Sequence, residues 1–304
     1  MNSSDLKEEI SDLKVKRNAI ILAHNYQIDE VQEVADYTGD SFGLSKLAAS
    51  TDAEVIVFCG VLFMAESAVI LSPEKIVLQP DLQAGCPLAD SITPEALQAK
   101  KKEYPGAVVV CYVNSSADVK ALSDICCTSA NAVKVVNSLA EQQVLFVPDK
   151  NLACYVAAHT KKEIIPWDGC CSIHHKVIVD DLHKQRELHP DGIIVVHPEC
   201  RPEVTALADF VGSTAEIIRI ARETASNKLI IGTEIGTLYR LKNDNPHKEF
   251  HLVSEELICP DMKLNNLSKI RDALLNKQPQ VIVPVQTRKE AFAALERMLQ
   301  VSDH

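Results

Sequence analysis

The chain has 304 residues, 46% of them hydrophobic and 24% charged, and a formal net charge of -11. That size allows about two or three domains with real cores, and the acidic balance argues against nucleic acid or an anionic membrane as partner. No stretch approaches the roughly 20 apolar residues of a membrane span, and MNSSDLKEEISDLKVKR at the N-terminus has no apolar run with a cleavage site, so a soluble, cytoplasmic protein is expected.

Residues 3–17 read as an amphipathic helix leading into a first strand at 19–23. Further helices are expected over 28–36, 41–49, 94–102, 116–122, 129–140, 202–207, 213–223 and 267–275, and GVLFMAES (60–67) reads as the start of another, with Met64 as wall. Between them lie short runs rich in Val and Ile, such as AEVIVFCG (53–60), QQVLFVPD (142–149) and GIIVVHPEC (192–200). These runs lack strict polar alternation, as strands covered by helices on both faces do. The region 236–248 is the most loop-like; QVIVPVQ (280–286) reads as an extra strand and 287–300 as a closing helix.

The pattern occurs three times. His24, Tyr112 and His197 are 88 and 85 residues apart, and so are Asp36, Asp124 and Asp209, and Ser41, Ser129 and Thr214. Cys86, Cys171 and Cys259 close the units at spacings of 85 and 88. Matched polar residues at matched offsets exceed the loose self-similarity of any α/β chain. The expected fold is α/β: three pseudo-symmetric, three-layer αβα domains with small parallel sheets around a central active site. Their spans are 1–90, 91–176 and 177–269, with 270–304 packing back on the first.

Ligands of α/β sheets collect outside the C-terminal ends of the strands. The three leading strands end there on His24, Asn25 and Tyr26, on Tyr112 and Asn114, and on His197 and Glu199. Each is followed by a polar turn opening a helix: Gly39-Asp40-Ser41, Thr128-Ser129 and Gly212-Ser213-Thr214. For any one copy, ordinary N-capping accounts for such a turn. Three copies, each beside a polar strand end, favour a shared anion site at the positive ends of helices.

There are ten cysteines. Cys59, Cys111, Cys126 and Cys154 lie in or beside apolar runs and read as core, as does Cys127; Cys170 has no assigned role. The spacing of Cys86, Cys171 and Cys259 is too wide for a zinc finger, and the chain has no CxxC. One thiolate from each domain, meeting on the pseudo-threefold axis, suits a cubane iron–sulfur cluster with one iron left open and, less readily, a zinc site with an open position. His174, three residues beyond Cys171, is near enough to serve the same site or to be a surface histidine.

As a set, several motifs resemble the quinolinate synthase family. They are AHNY (23–26), YVNSSADVKALSD (112–124), TSAN (128–131), PDKNL (148–152), WDGCCSIH (167–174), HPEC (197–200), GST (212–214), GTE (232–234) and CPDM (259–262). The resemblance implies condensation of iminoaspartate with dihydroxyacetone phosphate to quinolinate, phosphate and two waters, within NAD biosynthesis. It also implies one [4Fe-4S] cluster on Cys86, Cys171 and Cys259, its fourth iron open to substrate. Substrate phosphate and carboxylates then fall on Ser41, Ser129, Ser213 and Thr214. Tyr26, His24, His197 and Glu199 move protons, with Glu199 as base, while Tyr112 and Asn114 orient the reacting oxygen. An upstream aspartate oxidase or dehydrogenase is implied as the source of the unstable imine. The C-terminal CxxC pattern of some longer members is missing, so thiol switching of that kind is not expected. Two other classes compete: a zinc or metal-free sugar-phosphate enzyme, and a non-catalytic iron–sulfur sensor.

Overall fold

The computed structural model describes residues 3–303. The first unit comprises α1 (Ser3–Arg17), β1 (Ala19–His24), α2 (Asp29–Val34), β2 (Tyr37–Gly39), α3 (Ser41–Ser50), β3 (Val55–Cys59), α4 (Leu62–Leu71), β4 (Ile76–Leu78) and the single turn α5 (Pro87–Asp90). Next come α6 (Pro94–Glu103), β5 (Val108–Tyr112), α7 (Ala117–Ala121), β6 (Ile125–Cys127), α8 (Ala132–Ser138), β7 (Gln143–Val147), α9 (Lys150–Ala158) and β8 (Glu163–Pro166). The third unit is α10 (Val179–Leu188), β9 (Ile193–Val196), α11 (Pro202–Thr205), β10 (Phe210–Val211), α12 (Thr214–Glu223), β11 (Lys228–Gly232), α13 (Thr237–Asp244) and β12 (Glu249–Leu252). Two helices, α14 (Leu267–Asn276) and α15 (Val285–Asp303), complete the chain.

The sheets share one topology. Their orders are β2-β1-β3-β4, β6-β5-β7-β8 and β10-β9-β11-β12, with every pair parallel. Alternate residues of a strand enter different cores. Ile194 and Val196 of β9 pack with Ile230 on one face, whereas Val195 packs with Leu229 and Ile231 on the other. Both faces are therefore apolar, which is why these strands read as unbroken hydrophobic runs.

The repeated aspartates build the sheets rather than the site. Asp36, Asp124 and Asp209 each accept, at 2.7 Å, the main-chain N–H of Ile21, Val109 and Ile194, fifteen residues upstream in the central strand. A second repeated device escapes the sequence reading. Lys75, Lys162 and Lys248 donate to the carbonyls of Thr51, Leu139 and Thr224, where a helix ends and its carbonyls lack partners.

Four local expectations are corrected. The stretch 280–286 forms no strand, only an isolated bridge from Gln280 to Leu78, because α15 starts at Val285. The tail divides: α14 packs on α1, but α15 packs against α4 and on α7, α8 and β6 of the second unit. Helix α13 occupies most of the supposed loop 236–248, since Thr237 and Leu241 give its polar sequence a buried face. Cys154 is exposed, because α9 turns Leu152, Ala153 and Val156 inward instead.

Candidate active site

The C-terminal ends of the central strands meet around a cavity of about 400 Å³. Side chains of different units are hydrogen-bonded around it. Asn25 Nδ2 donates to Thr214 Oγ1 (3.0 Å), Asn151 Nδ2 to the Glu199 carbonyl (2.8 Å), and Gln32 Nε2 to the Gly236 carbonyl (2.9 Å). Lys263 ties the Tyr26 carbonyl to the buried Glu234 carboxylate, 2.8 Å from its Nζ.

His24, Tyr26, Ser41, Cys86, Tyr112, Asn114, Ser129, Cys171, His197, Glu199, Thr214 and Cys259 all line the cavity. Ser213 does not. Its hydroxyl accepts the Glu216 N–H (3.3 Å), and its own N–H donates to the Glu216 carboxylate (2.8 Å), so the capping box of α12 uses it up. Thr214, the first residue of α12, reaches the cavity in its place, and Ser41, capped by Asp40, opens α3 in the same way. Ser129 is not a helix start. It lies in a turn closed by Asn131 Oδ1, which accepts the Thr128 N–H at 2.7 Å, ahead of α8.

A chain of buried polar groups crosses the cavity wall. Tyr26 Oη lies 2.8 Å from Thr233 Oγ1, which lies 3.0 Å from His174 Nε2. His174 Nδ1 is 2.7 Å from Glu199 Oε2, a close contact bent away from hydrogen-bond geometry, and the His174 ring stacks on His197 with centroids 4.4 Å apart. Burial opposes a charge on Glu199, but His197 and His174 outweigh it and hold the carboxyl well below its ordinary range. Among the described residues, none stands in hydrogen-bond geometry to Glu199 Oε1.

Burial, followed by the charge of Glu199, pushes the phenols of Tyr26 and Tyr112 well up, so both stay protonated. Burial, reinforced by His197 and Lys263, pulls His24 down to about 3. The neutral His24 ring accepts the Tyr26 N–H on Nδ1 (3.2 Å), which leaves its proton on Nε2.

The three cysteines reach the cavity from three units. Burial pushes Cys86 up to about 12, Cys259 to about 11 and Cys171 well up, with a neighbouring thiolate or carboxylate adding to the rise at each. Such thiols become thiolates when a cation is present to hold them. Two sit on buried carboxylates: Asp149 Oδ2 accepts the Cys171 N–H (3.0 Å) and Glu234 Oε1 the Cys259 N–H (3.0 Å). Sequence reasoning missed both acids, although each stands two residues beyond β7 or β11, where the first unit has Val61. Soft donors, buried and convergent, fit an iron–sulfur cluster and exclude magnesium or calcium. Cys171, His174 and Glu199 have ligand atoms within 4.8 Å of one another.

The chain matches the family model described as Quinolinate synthetase A protein over residues 8–300. The chain belongs to this family. It is 52% identical to a quinolinate synthase of Caldicellulosiruptor bescii over 302 residues, which cover 99% of this chain and 100% of the relative. A quinolinate synthase of Clostridium kluyveri is 53% identical over the same length and shares, and one of Methanosarcina barkeri is 52% identical over 301 residues, 99% of each chain. Membership makes the protein an enzyme of NAD biosynthesis. Among the described residues, no helix is long and apolar enough to cross a membrane. Thr233 and Glu234, from the GTE motif, and Asp149, from PDKNL, are the members of this family's motifs whose roles only the structure reveals.

Proposed function

We propose that the protein condenses iminoaspartate with dihydroxyacetone phosphate, giving quinolinate, inorganic phosphate and two waters. The carrying observation is that Cys86, Cys171 and Cys259, one from each unit, line one cavity with Tyr26, Tyr112, His24, His197 and Glu199. The three thiols are the ligands for a [4Fe-4S] cluster, which when bound supplies a Lewis acid at its open iron.

The chain's own groups divide the remaining work. Ser41 at the start of α3, Thr214 at the start of α12 and the Ser129 hydroxyl seat phosphate and carboxylate oxygens, with the helix dipoles favouring negative charge there. Asn114 and the Tyr112 phenol orient a substrate carbonyl or hydroxyl. Glu199, ionised and lining the cavity, is the base that takes a carbon-bound proton. Tyr26 keeps its proton and serves as acid toward a departing oxygen. His24, neutral at physiological pH, donates a hydrogen bond from Nε2 rather than accepting a proton. The imine hydrolyses in water, so its supply falls to an upstream aspartate-oxidising enzyme.

The test is a Mössbauer spectrum of anaerobically prepared, iron-57-labelled protein, with and without quinolinate, alongside a quinolinate-forming assay. A [4Fe-4S] spectrum in which one iron site shifts with quinolinate supports the reading. Iron-free protein that still turns over would overturn it. The closeness of Cys171, His174 and Glu199 favours a second reading, a single zinc ion on those three groups. Stoichiometric zinc in active protein would establish that alternative.

A further inference from the structure

Lys263 stands four residues beyond Cys259, in the single turn Asp261–Leu264. Cys259 and Lys263 grip one carboxylate between them. Glu234, completely buried, accepts the Cys259 N–H on Oε1 (3.0 Å) and the Gly236 N–H on Oε2 (2.7 Å). The Lys263 ammonium lies 2.8 Å from Oε1 and 3.0 Å from Oε2. Burial pushes the Glu234 carboxyl up, and Lys263 works against that rise. The remaining N–H of the ammonium crosses to the first unit, where the Tyr26 carbonyl accepts it.

That carbonyl is one of three in a row held by side-chain donors. The carbonyls of Asn25 and Gln27 both accept from Gln32 Nε2, at 3.2 and 2.9 Å, and the same amide reaches the Gly236 carbonyl of the third unit (2.9 Å). The backbones touch at this seam: a Cβ on Gly236 would stand 2.7 Å from the Tyr26 carbonyl carbon and 2.8 Å from the Gln27 carbonyl oxygen. The other units show what a ligand loop needs by itself. Among the described residues, Asp149 supports the Cys171 amide with main-chain N–H groups as its only hydrogen-bond donors. Four residues beyond Cys171 stands His175, and four beyond Cys86 stands Asp90. Anchoring a cluster cysteine therefore needs no lysine, and only the ligand loop that borders Tyr26 has one.

We propose that Lys263 is a positioning residue for the reaction: it links the Cys259 end of the cluster seat to the backbone of Tyr26, so that a filled seat holds the Tyr26 segment and an empty one loosens it. Such a coupling is reciprocal, and a well-held Tyr26 segment in turn steadies the Cys259 loop. The inference rests on the reading of the three cysteines as cluster ligands and of Tyr26 as the acid.

The test measures hydrogen–deuterium exchange over residues 25–27 in anaerobically prepared holoenzyme and in the same protein stripped of iron, together with kcat and KM. Wild type is compared with Lys263→Met, which keeps the length of the side chain but no donor, and with Lys263→Arg, which keeps the charge and the donors. In wild type the filled seat is expected to slow exchange by about 5-fold or more, the lower end of ordinary coupling between sites. In Lys263→Met that ratio should fall to about 1, while kcat drops about 10- to 100-fold at unchanged KM, the scale of a small misplacement of reacting groups. Lys263→Arg is expected to recover most of the ratio. Should the methionine variant fail to fold because Glu234 is left unpaired, Lys263→Met combined with Glu234→Gln leaves no charge there and gives the same comparison. A methionine variant whose exchange still responds to the cluster as wild type does overturns the proposal, as does an arginine variant no better than the methionine one. Wild-type protein that holds a cluster but forms no quinolinate overturns the functional reading instead, and the exchange ratios, which need no turnover, still decide this one.

Discussion

Lowering the pH from 7 to 5 should destabilise this fold measurably through one histidine. His24 is 5% exposed, and burial together with His197 and Lys263 puts its titration at about 3. In the unfolded chain the same ring takes up its proton near pH 6.5. Between those values the unfolded state binds more protons than the native one, so stability is complete above 6.5 and falls as the pH drops. At pH 5 the gap is about 1.5 pH units, and at about 1.4 kcal/mol per unit the loss from His24 alone is about 2 kcal/mol. The assay is urea unfolding at pH 7 and pH 5, under reductant and chelator so that no metal contributes, for wild type and His24→Asn. Asparagine can still accept the Tyr26 N–H that His24 Nδ1 receives, but it does not titrate. The variant should lose about 2 kcal/mol less than wild type between the two pH values. A difference under about 0.5 kcal/mol, within the scatter of neutral substitutions, would refute the reasoning.

Three further outcomes follow from the geometry. Glu199→Gln keeps the size of the side chain but not its basicity; iron content should match wild type while kcat falls by about 10²- to 10⁴-fold, and full turnover would remove Glu199 as the base. Asp149→Asn cannot accept both the Leu152 and Cys171 N–H groups that the aspartate holds at 2.7 and 3.0 Å. Iron release to a chelator should therefore quicken by about 10- to 100-fold, as for other groups that orient metal ligands, and an unchanged rate would show that the Cys171 amide needs no anchor. Gly169→Ala would place a Cβ 2.5 Å from the Pro148 carbonyl oxygen and 2.4 Å from Ser91 Oγ. The backbone leading to Cys171 must move, so thermal unfolding should show a loss of about 1–3 kcal/mol; a wild-type midpoint would mean that the loop yields freely.

The repeat was legible because it is written by local physics. A strand covered on both faces must be a run of Val and Ile, and a helix needs a hydroxyl or carboxylate where its first amides lack partners. Those rules recur at offsets of 88 and 85, which places His24 with Tyr112 and His197, and the cysteines follow at 85 and 88, which places Cys86 with Cys171 and Cys259. The same regularity misleads at single positions. Ser213 and Thr214 are adjacent hydroxyls, and sequence cannot say which one the helix will turn back upon itself as a cap. Nor did the apolar run around Cys154 reveal that α9 shows that residue to solvent.

By itself the sequence determined three parallel sheets, the residues at their C-terminal ends and the phase of the three cysteines. Only the tertiary structure decided that the Tyr26 hydroxyl finds Thr233, 207 residues away, and that Thr233 finds His174. It also decided that Asp149 and Glu234 carry the amides of Cys171 and Cys259. The physical reason is that periodicity and capping act over a few residues of chain. A hydrogen bond between units, by contrast, exists only after hydrophobic packing has brought separate strand ends together, and nothing local in GTE or PDKNL encodes that meeting.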